Sequence, residues 1–437
     1  ALKENDFSFD EIKVATPDIA IEINDSVKGD KFEIAQNLDL FPIVEPYVNK
    51  INVNRLYLNN VDLKFNWFEK QLINKKINLN FWEIQIGKNQ ITGNLLNSKE
   101  FEISTNNLKT TTKNNLYEFT VDSLIYNSAK HNILLKKLSV NPLLAKEEFP
   151  RQNGFQTDYL KAKTDFVELI DIDENLWLKE KILDGKKIIV GESEVDIYRN
   201  KRYPFNVKQR PPWPQDLIKE IIQPFIFDSV ILVPSRIKYS ELMDISDEPG
   251  FIEFNNLTLK AGKISNIEKI IAQNKNFEIN TTAQLFNRAP LSAKFNFDLT
   301  DNNYAHTVSG SLGKMPLKEL NVMIEKSVPI SVETGELTRF DFDISFNKNL
   351  ARGKLYFAYD EFKISVLELD YEGAKKSKLA TFWANKMILN SKNPKGETLL
   401  PETITYERDV QRSIINYWWK AIFTGSKQTL GIKPDEQ

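Results

Sequence analysis

Apolar and polar residues alternate strictly in several segments of this chain, and this pattern excludes most helical folds. Every second residue is apolar between Leu291 and Leu299, and again between Phe340 and Phe346. Because successive side chains of a β-strand point to opposite faces, such strands have one dry face and one wet face. Strands that are buried on both faces, as in doubly wound α/β folds, are instead continuously apolar. The pattern therefore predicts antiparallel sheet that is covered on a single side.

Turn-forming residues separate the predicted strands in the second half of the chain. Asp301-Asn302-Asn303 follows one strand, Asn347-Lys348-Asn349 follows another, and Asp360-Glu361 stands between Leu355–Tyr359 and Phe362–Leu369. Polar residues of this type are typical of hairpin connections. We therefore expect a meander of antiparallel strands from about residue 291 to residue 371.

Short segments with helical spacing interrupt the strands. Apolar residues recur every three or four positions in Leu217–Phe225 and in Leu317–Ile324, and a proline precedes each segment. Two further helices are predicted near the end of the chain, over Ala374–Asn390 and Arg408–Leu430. The last one combines aromatic and basic residues, as segments at a membrane–water interface do. Its candidate membrane-interface residues are Tyr417, Trp418, Trp419 and Phe423.

These signals predict a mainly β fold of the β-rich α+β type. We expect antiparallel strands with a single covered side, together with short capping helices and a helical C-terminal tail. The expected domains are an N-terminal β-rich domain over 1–150, a middle helix-strand repeat region over 151–250, a β-meander over 251–373 and the helical tail over 374–437.

Composition excludes several classes of function. The 58 basic and 60 acidic residues give a formal charge of −2, so no strong field attracts nucleic acid. The chain contains no cysteine, which rules out disulfides, thiolate metal sites and a cysteine nucleophile. It also contains no run of about 18 apolar residues, the length that a membrane-spanning helix needs.

Candidates for catalysis or metal binding are few. His131 and His306 are the only histidines, and neither has a companion at metal-ligand spacing. Nucleophile elbows and phosphate-binding loops are missing from the sequence. Three acidic clusters could serve a glycosidase or a calcium site, but solvated charge is the more common explanation of such clusters. They are Asp171, Asp173 and Glu174; Asp244, Asp247 and Glu248; and Glu368, Asp370 and Glu372. We expect no catalytic residue, no metal and no cofactor.

Several motifs in the second half resemble the C-terminal region of AsmA-like envelope proteins. The resemblance covers about residues 210–432 and is clearest in Gly310–Leu317, Val332–Leu337, Gly353–Phe357, Leu379–Asn385 and Glu407–Lys420. It implies that the sheet is elongated and curled and forms a groove with an apolar inner face. TamB and the bridge-like lipid-transfer proteins are related to this family. The resemblance also implies an N-terminal membrane anchor upstream of this chain, a periplasmic location in a Gram-negative bacterium and no catalytic residues.

The expected function is therefore non-enzymatic binding or conduction of phospholipid, or of another apolar ligand, in support of envelope and outer-membrane homeostasis. Two alternatives stay open: an envelope scaffold that binds a protein partner while its apolar faces form a closed core, and a carbohydrate-active or calcium-dependent enzyme. The residues expected to line the groove are Leu291, Phe295, Phe297, Phe340, Phe342, Ile344, Phe346, Leu355, Phe357, Phe362 and Ile364.

Overall fold

A computed structural model of the chain describes residues 6–17, 20–24, 46–67, 70–87, 95–367 and 390–432. These residues form one large mixed β-sheet with a few short helices, which confirms the prediction of a mainly β fold. The helix predicted over Ala374–Asn390 lies almost entirely outside the described residues.

The strands are numbered in chain order. The first half contains β1 (Asp6–Ala15), β2 (Ala20–Asn24), β3 (Lys50–Trp67), β4 (Lys70–Gly87), β5 (Glu100–Thr111), β6 (Tyr117–Asn127), β7 (Asn132–Pro142), β8 (Asp158–Ile170), β9 (Leu183–Val190) and β10 (Ser193–Asn200). The second half contains β11 (Phe225–Leu242), β12 (Gly250–Ala261), β13 (Ile264–Ser265), β14 (Asn276–Leu285), β15 (Ala289–Asp298), β16 (His306–Leu312), β17 (Met315–Pro316), β18 (Ile330–Phe346), β19 (Leu350–Val366) and β20 (Glu402–Glu407).

Most neighbouring strands in the sheet are also neighbours in sequence and run antiparallel, as predicted. The sheet is mixed rather than antiparallel throughout. Strands β1 and β2 pair with β3 in parallel, and β9 and β10 pair in parallel with β11. Strand β11 runs parallel to β9 and β10 because the long crossover of residues 201–224 returns the chain to the end of the sheet at which β9 begins.

The described helices are short except for the last. They are α1 (Glu148–Asn153), α2 (Glu174–Glu180), α3 (Pro214–Lys219), α4 (Glu268–Gln273), α5 (Asn321–Ser327) and α6 (Ile414–Leu430), with 3-10 turns at Leu95–Asn97 and Leu317–Leu320. Helix α6 begins after Ser413, whose hydroxyl accepts the Asn416 N–H, and ends at Gly431 in the left-handed conformation. None of the helices in the described ranges is long and apolar enough to cross a membrane.

Two helix predictions need new boundaries. The segment expected over Leu217–Phe225 is helical only to Lys219, because Phe225 already begins β11. The helix expected to begin at Arg408 begins at Ile414, and the residues before Arg408 form β20 at the edge of the sheet.

Kinks within long strands replace one of the predicted turns. Asp360-Glu361 does not connect two strands: it lies inside β19, which pairs with β18 on both sides of it. Glu361 has a φ of 52°, a left-handed conformation that bends the strand without ending it. Asn256 in β12 has a φ of 50°, at a point where the register with β14 shifts.

The sheet runs through the expected domain boundaries. Strand β7 pairs with β8 across residue 150, and β11 pairs with β12 across residue 250. The regions on either side of these boundaries therefore share one hydrogen-bonded sheet. The largest core cluster lies in the C-terminal third, between β18, β19, β20 and α6.

Candidate functional site

An unbroken row of apolar residues crosses the whole described sheet from edge to edge. Residues that lie opposite each other in neighbouring strands point to the same face, so the pairing register defines this central row. Its members are Val14, Leu58, Leu79, Ile103, Tyr126, Ile133, Leu169, Ile188, Val230, Ala261, Ile279, Phe295, Val308, Ile344, Gly353 and Ile404.

A second row runs beside the central row on the same face. It lies two residues further along almost every strand, and most of its members are apolar. They are Val61, Ile77, Thr105, Leu124, Leu135, Val167, Val190, Leu232, Leu259, Thr281, Ala293, Gly310, Phe342 and Leu355.

The kinks keep a third apolar row on this face. In β12, Leu259 and Phe254 are an odd number of residues apart, which in a regular strand would place them on opposite faces. Their partners in β14, Thr281 and Leu285, are an even number apart and share a face. The left-handed residue Asn256 therefore restores the apolar side. The third row is Thr110, Phe119, Val140, Ala162, Val195, Ile237, Phe254, Leu285 and Ala289. We call the side with all three rows the apolar face.

Beside the third row, the opposite side of the sheet is charged. Lys163 pairs with Glu194 at 2.8 Å, and Arg236 contacts both Asp196 at 3.2 Å and Glu253 at 2.5 Å. Exposed pairs of this kind add little stability, but they keep this side wet. Opposite the central row, this side also holds two apolar pairs, Ile125 with Leu134 and Ile189 with Ile231, and Glu168 separates them.

The apolar face is partly open over the middle strands, from β5 to β12. Ile133, Leu169 and Ile188 of the central row are only half-buried, and Phe119 of the third row is 42% exposed. Short helices cover part of this stretch. Ile218 of α3 packs on the cluster of Phe225 and Phe227 that Ile133, Leu169 and Ile188 also contact, and Ala261 of the central row is buried. Helix α1 packs Phe149 against the ring of Tyr117, with 5.3 Å between the centroids. This stretch of half-exposed apolar residues is the candidate functional site.

The C-terminal third of the same face is closed, which corrects the predicted position of the groove. Helix α6 covers it with Tyr417 and Ala421, which are 1% and 0% exposed, and the predicted groove residues below form a core. The physical reason is that α6 is amphipathic and buries its apolar side on the sheet. Seven predicted groove residues are buried, namely Phe297, Phe342, Ile344, Phe346, Leu355, Phe357 and Phe362, while Leu291, Phe295, Phe340 and Ile364 are partly buried.

The predicted membrane-interface residues point to both sides of α6. Tyr417 is buried and donates its hydroxyl hydrogen to the Asn347 carbonyl at 3.2 Å, so it cannot reach a headgroup. The Trp418 indole lies on Phe295, with centroids 4.8 Å apart. Trp419 is 51% exposed and stacks with Phe423 at 5.7 Å. Only the last pair is placed to contact a surface outside the chain.

His306 is a buried partner of α6 that the sequence did not reveal. It lies between Phe297 and Phe346 in the sheet, and its ring stacks on both. Its Nδ1 donates to the Tyr304 carbonyl at 2.7 Å, so its Nε2 accepts the Trp418 N–H at 3.0 Å. Burial, with a smaller contribution from the charge of Arg408, lowers the pKa of His306 to about 4. The alternation pattern shows this position as a strand start and gives no signal of its role.

The acidic clusters have structural partners. Asp173 caps α2, Asp171 pairs with Lys186 at 3.0 Å, and Glu174 accepts hydrogen bonds from Tyr126 and His131, each at 2.7 Å. In the second cluster, Asp247 pairs with Arg202 and Glu248 pairs with Lys326. The third cluster lies outside the described residues. Across the described part of the chain, no three His, Asp or Glu side chains are grouped to hold a metal ion.

No protein family model matches the chain, and no curated protein is significantly similar to it.

Proposed function

We propose that this chain is a non-enzymatic, AsmA-like protein of the Gram-negative periplasm that binds or conducts lipid along its apolar face, in support of outer-membrane homeostasis. The observation on which this rests is the continuity of the three rows together with their half-exposed side chains between β5 and β12. Contiguous apolar surface on a soluble protein usually marks a binding site.

The dimensions of the open stretch suit an acyl chain. Strands lie about 4.8 Å apart, so the rows from β5 to β12 span roughly 29 Å, close to the ~30 Å thickness of a bilayer core. Burying a sixteen-carbon chain contributes on the order of 12 kcal/mol at ~0.8 kcal/mol per methylene, before ordering costs. Phospholipid chains could therefore bind without specific polar contacts.

Attachment to a membrane is part of the proposal. Exposed Trp419 stacks on half-buried Phe423 next to Lys420, whose pKa is lowered by partial burial and by the neighbouring cations Lys201, Lys427 and Arg412. Aromatic rings beside basic groups suit an anionic bilayer surface.

Two adjacent residues of β11 provide the test. Leu232 lies on the apolar face between Val190 and Leu259, whereas Ile231 lies on the opposite side between Ile189 and Lys260. Leu232→Asp should reduce the phospholipid extracted from the purified protein severalfold, because it places a carboxylate where chains would lie. Ile231→Asp, the matched control, should leave the lipid content unchanged. An equal loss in both variants would contradict the proposal.

The closed C-terminal third favours a second candidate, an envelope scaffold that binds a protein partner. In that case the unmodified protein would contain no lipid in repeated extractions, and replacing Trp419 and Phe423 by Ser would abolish binding of the partner.

A further inference from the structure

Helix α6 covers a continuation of the same rows that are open in the middle strands. Trp418 packs on Phe295, a member of the central row, and Val308 and Ile344 of that row belong to the core cluster that includes Tyr417 and Ala421. A chain lying along the open stretch would therefore meet α6 if it moved towards β20. The helix and such a ligand would compete for one surface.

The helix is held to the sheet mainly by non-directional contacts. Ala421 and Gly425 face the sheet, and a Cβ on Gly425 would lie 3.1 Å from Leu355 Cδ2. Polar links also hold the helix. They include the hydrogen bonds of Tyr417 to Asn347 and of Trp418 to His306, a bond that Tyr359 donates to the Thr429 carbonyl at 3.3 Å, and the bonds that Asn390 donates to the Thr429 and Leu430 carbonyls. An acyl chain could replace the apolar contacts, since apolar burial has no directional requirement.

The outward side of α6 is mixed rather than purely polar. Ile415 is 67% exposed and Trp419 is 51% exposed, beside exposed Lys420 and Gln428. A helix that only closes a core is expected to be polar on its outer side. Ile415 and Trp419 give α6 apolar contacts that it does not need to bury its inner side, and these would be kept if it left the sheet.

We propose that α6 is a lid over a second ligand-binding segment of the apolar face, and that it leaves the sheet when an acyl chain moves from the middle strands towards β20. This inference rests on the proposed lipid binding. It adds a site for the same class of ligand, beneath α6, and a moving element that controls access to that site.

A disulfide can lock the lid. A Cβ built on Gly425 lies 3.3 Å from Leu355 Cβ, near the range of about 3.5–4.5 Å found in disulfides. Because the chain has no cysteine of its own, Gly425→Cys with Leu355→Cys gives a single possible bond.

A photoreactive benzoylphenylalanine is placed in this background at Phe295, beneath the lid, or at Leu232, in the open stretch. The full chain is then irradiated with vesicles of phosphatidylethanolamine and phosphatidylglycerol.

The proposal predicts that the Phe295 position crosslinks to lipid in the reduced protein and loses the crosslink on oxidation, while the Leu232 position crosslinks in both states. Crosslinking at Phe295 that is equal in both states, or missing in both while Leu232 still reacts, would overturn the lid. Failure at Leu232 in both states would instead overturn the proposed lipid binding.

Hydrogen exchange on the unmodified chain provides a second measurement in case the cysteine pair disturbs folding. Amides of α6 should exchange faster when the same vesicles are present. Unchanged exchange in α6, together with protection of the middle strands, would also overturn the lid.

Discussion

His306 shows how a single residue can be assigned only after the fold is known. The sequence offers two histidines without companions, which suggested little chemistry. In the fold, the neutral ring of His306 joins the sheet to α6, accepting from Trp418 while it stacks between two phenylalanines. Similarly, the aromatic cluster in α6 was visible in the sequence, but composition alone could not tell which rings face the core and which face outward.

The stability of the protein should depend on pH through His306. Its pKa is about 4 in the folded chain, against an ordinary value of 6.5. Protonation therefore favours the unfolded chain: the full stability is present above pH 6.5 and is lost as the pH falls from there through 4. The loss should total roughly 3 kcal/mol in the free energy of unfolding.

Urea titrations across this pH range check the prediction when His306→Phe is measured in parallel. The variant keeps the aromatic stack, loses the bond from Trp418 and should show a smaller pH dependence than the unmodified chain. If the free energy of unfolding changes equally with pH in the two proteins, His306 does not titrate as described.

At the scale of elements, the strands with clean alternation were predictable from the sequence. That a long strand can bend and continue past a polar pair was not. The strand predicted over Leu291–Leu299 corresponds to β15, and Phe340–Phe346 is the end of β18. The polar pair Asp360-Glu361 was interpreted as a turn, because a break in alternation looks the same in a sequence whether the chain reverses or only bends. Pairing with β18 on both sides distinguishes the two cases.

The kink at Asn256 makes a prediction of its own. Its φ of 50° is tolerated by Asn but strained for a β-branched residue. Asn256→Val should lower the free energy of unfolding by about 1–2 kcal/mol, whereas Asn256→Gly should be neutral or slightly stabilising. Lys260→Val, at an exposed and regular position of β12, serves as the control and should have little effect. Equal effects of the two valine variants would argue against the kink.

At the scale of the whole molecule, the sequence predicted the mainly β class but not the position of the open face. Alternation is strongest in the C-terminal third, so the groove was expected there. That third is sealed because α6, distant in sequence from most of the strands it covers, packs on it. The rows over β5 to β12 depend on the register between strands, which one sequence does not reveal. Their partial exposure became visible only when the pairing was known.

Labelling of single cysteines along β11 shows whether the apolar face is open to lipid. Phospholipid vesicles should protect Val230→Cys, Leu232→Cys and Ile237→Cys from a thiol reagent but leave Ile231→Cys and Lys238→Cys reactive. Leu232 and Ile237 share a face although five residues separate them, because the pairing with β12 shifts register around Pro234. Equal reactivity with and without lipid at all five positions would contradict an open apolar face that binds lipid.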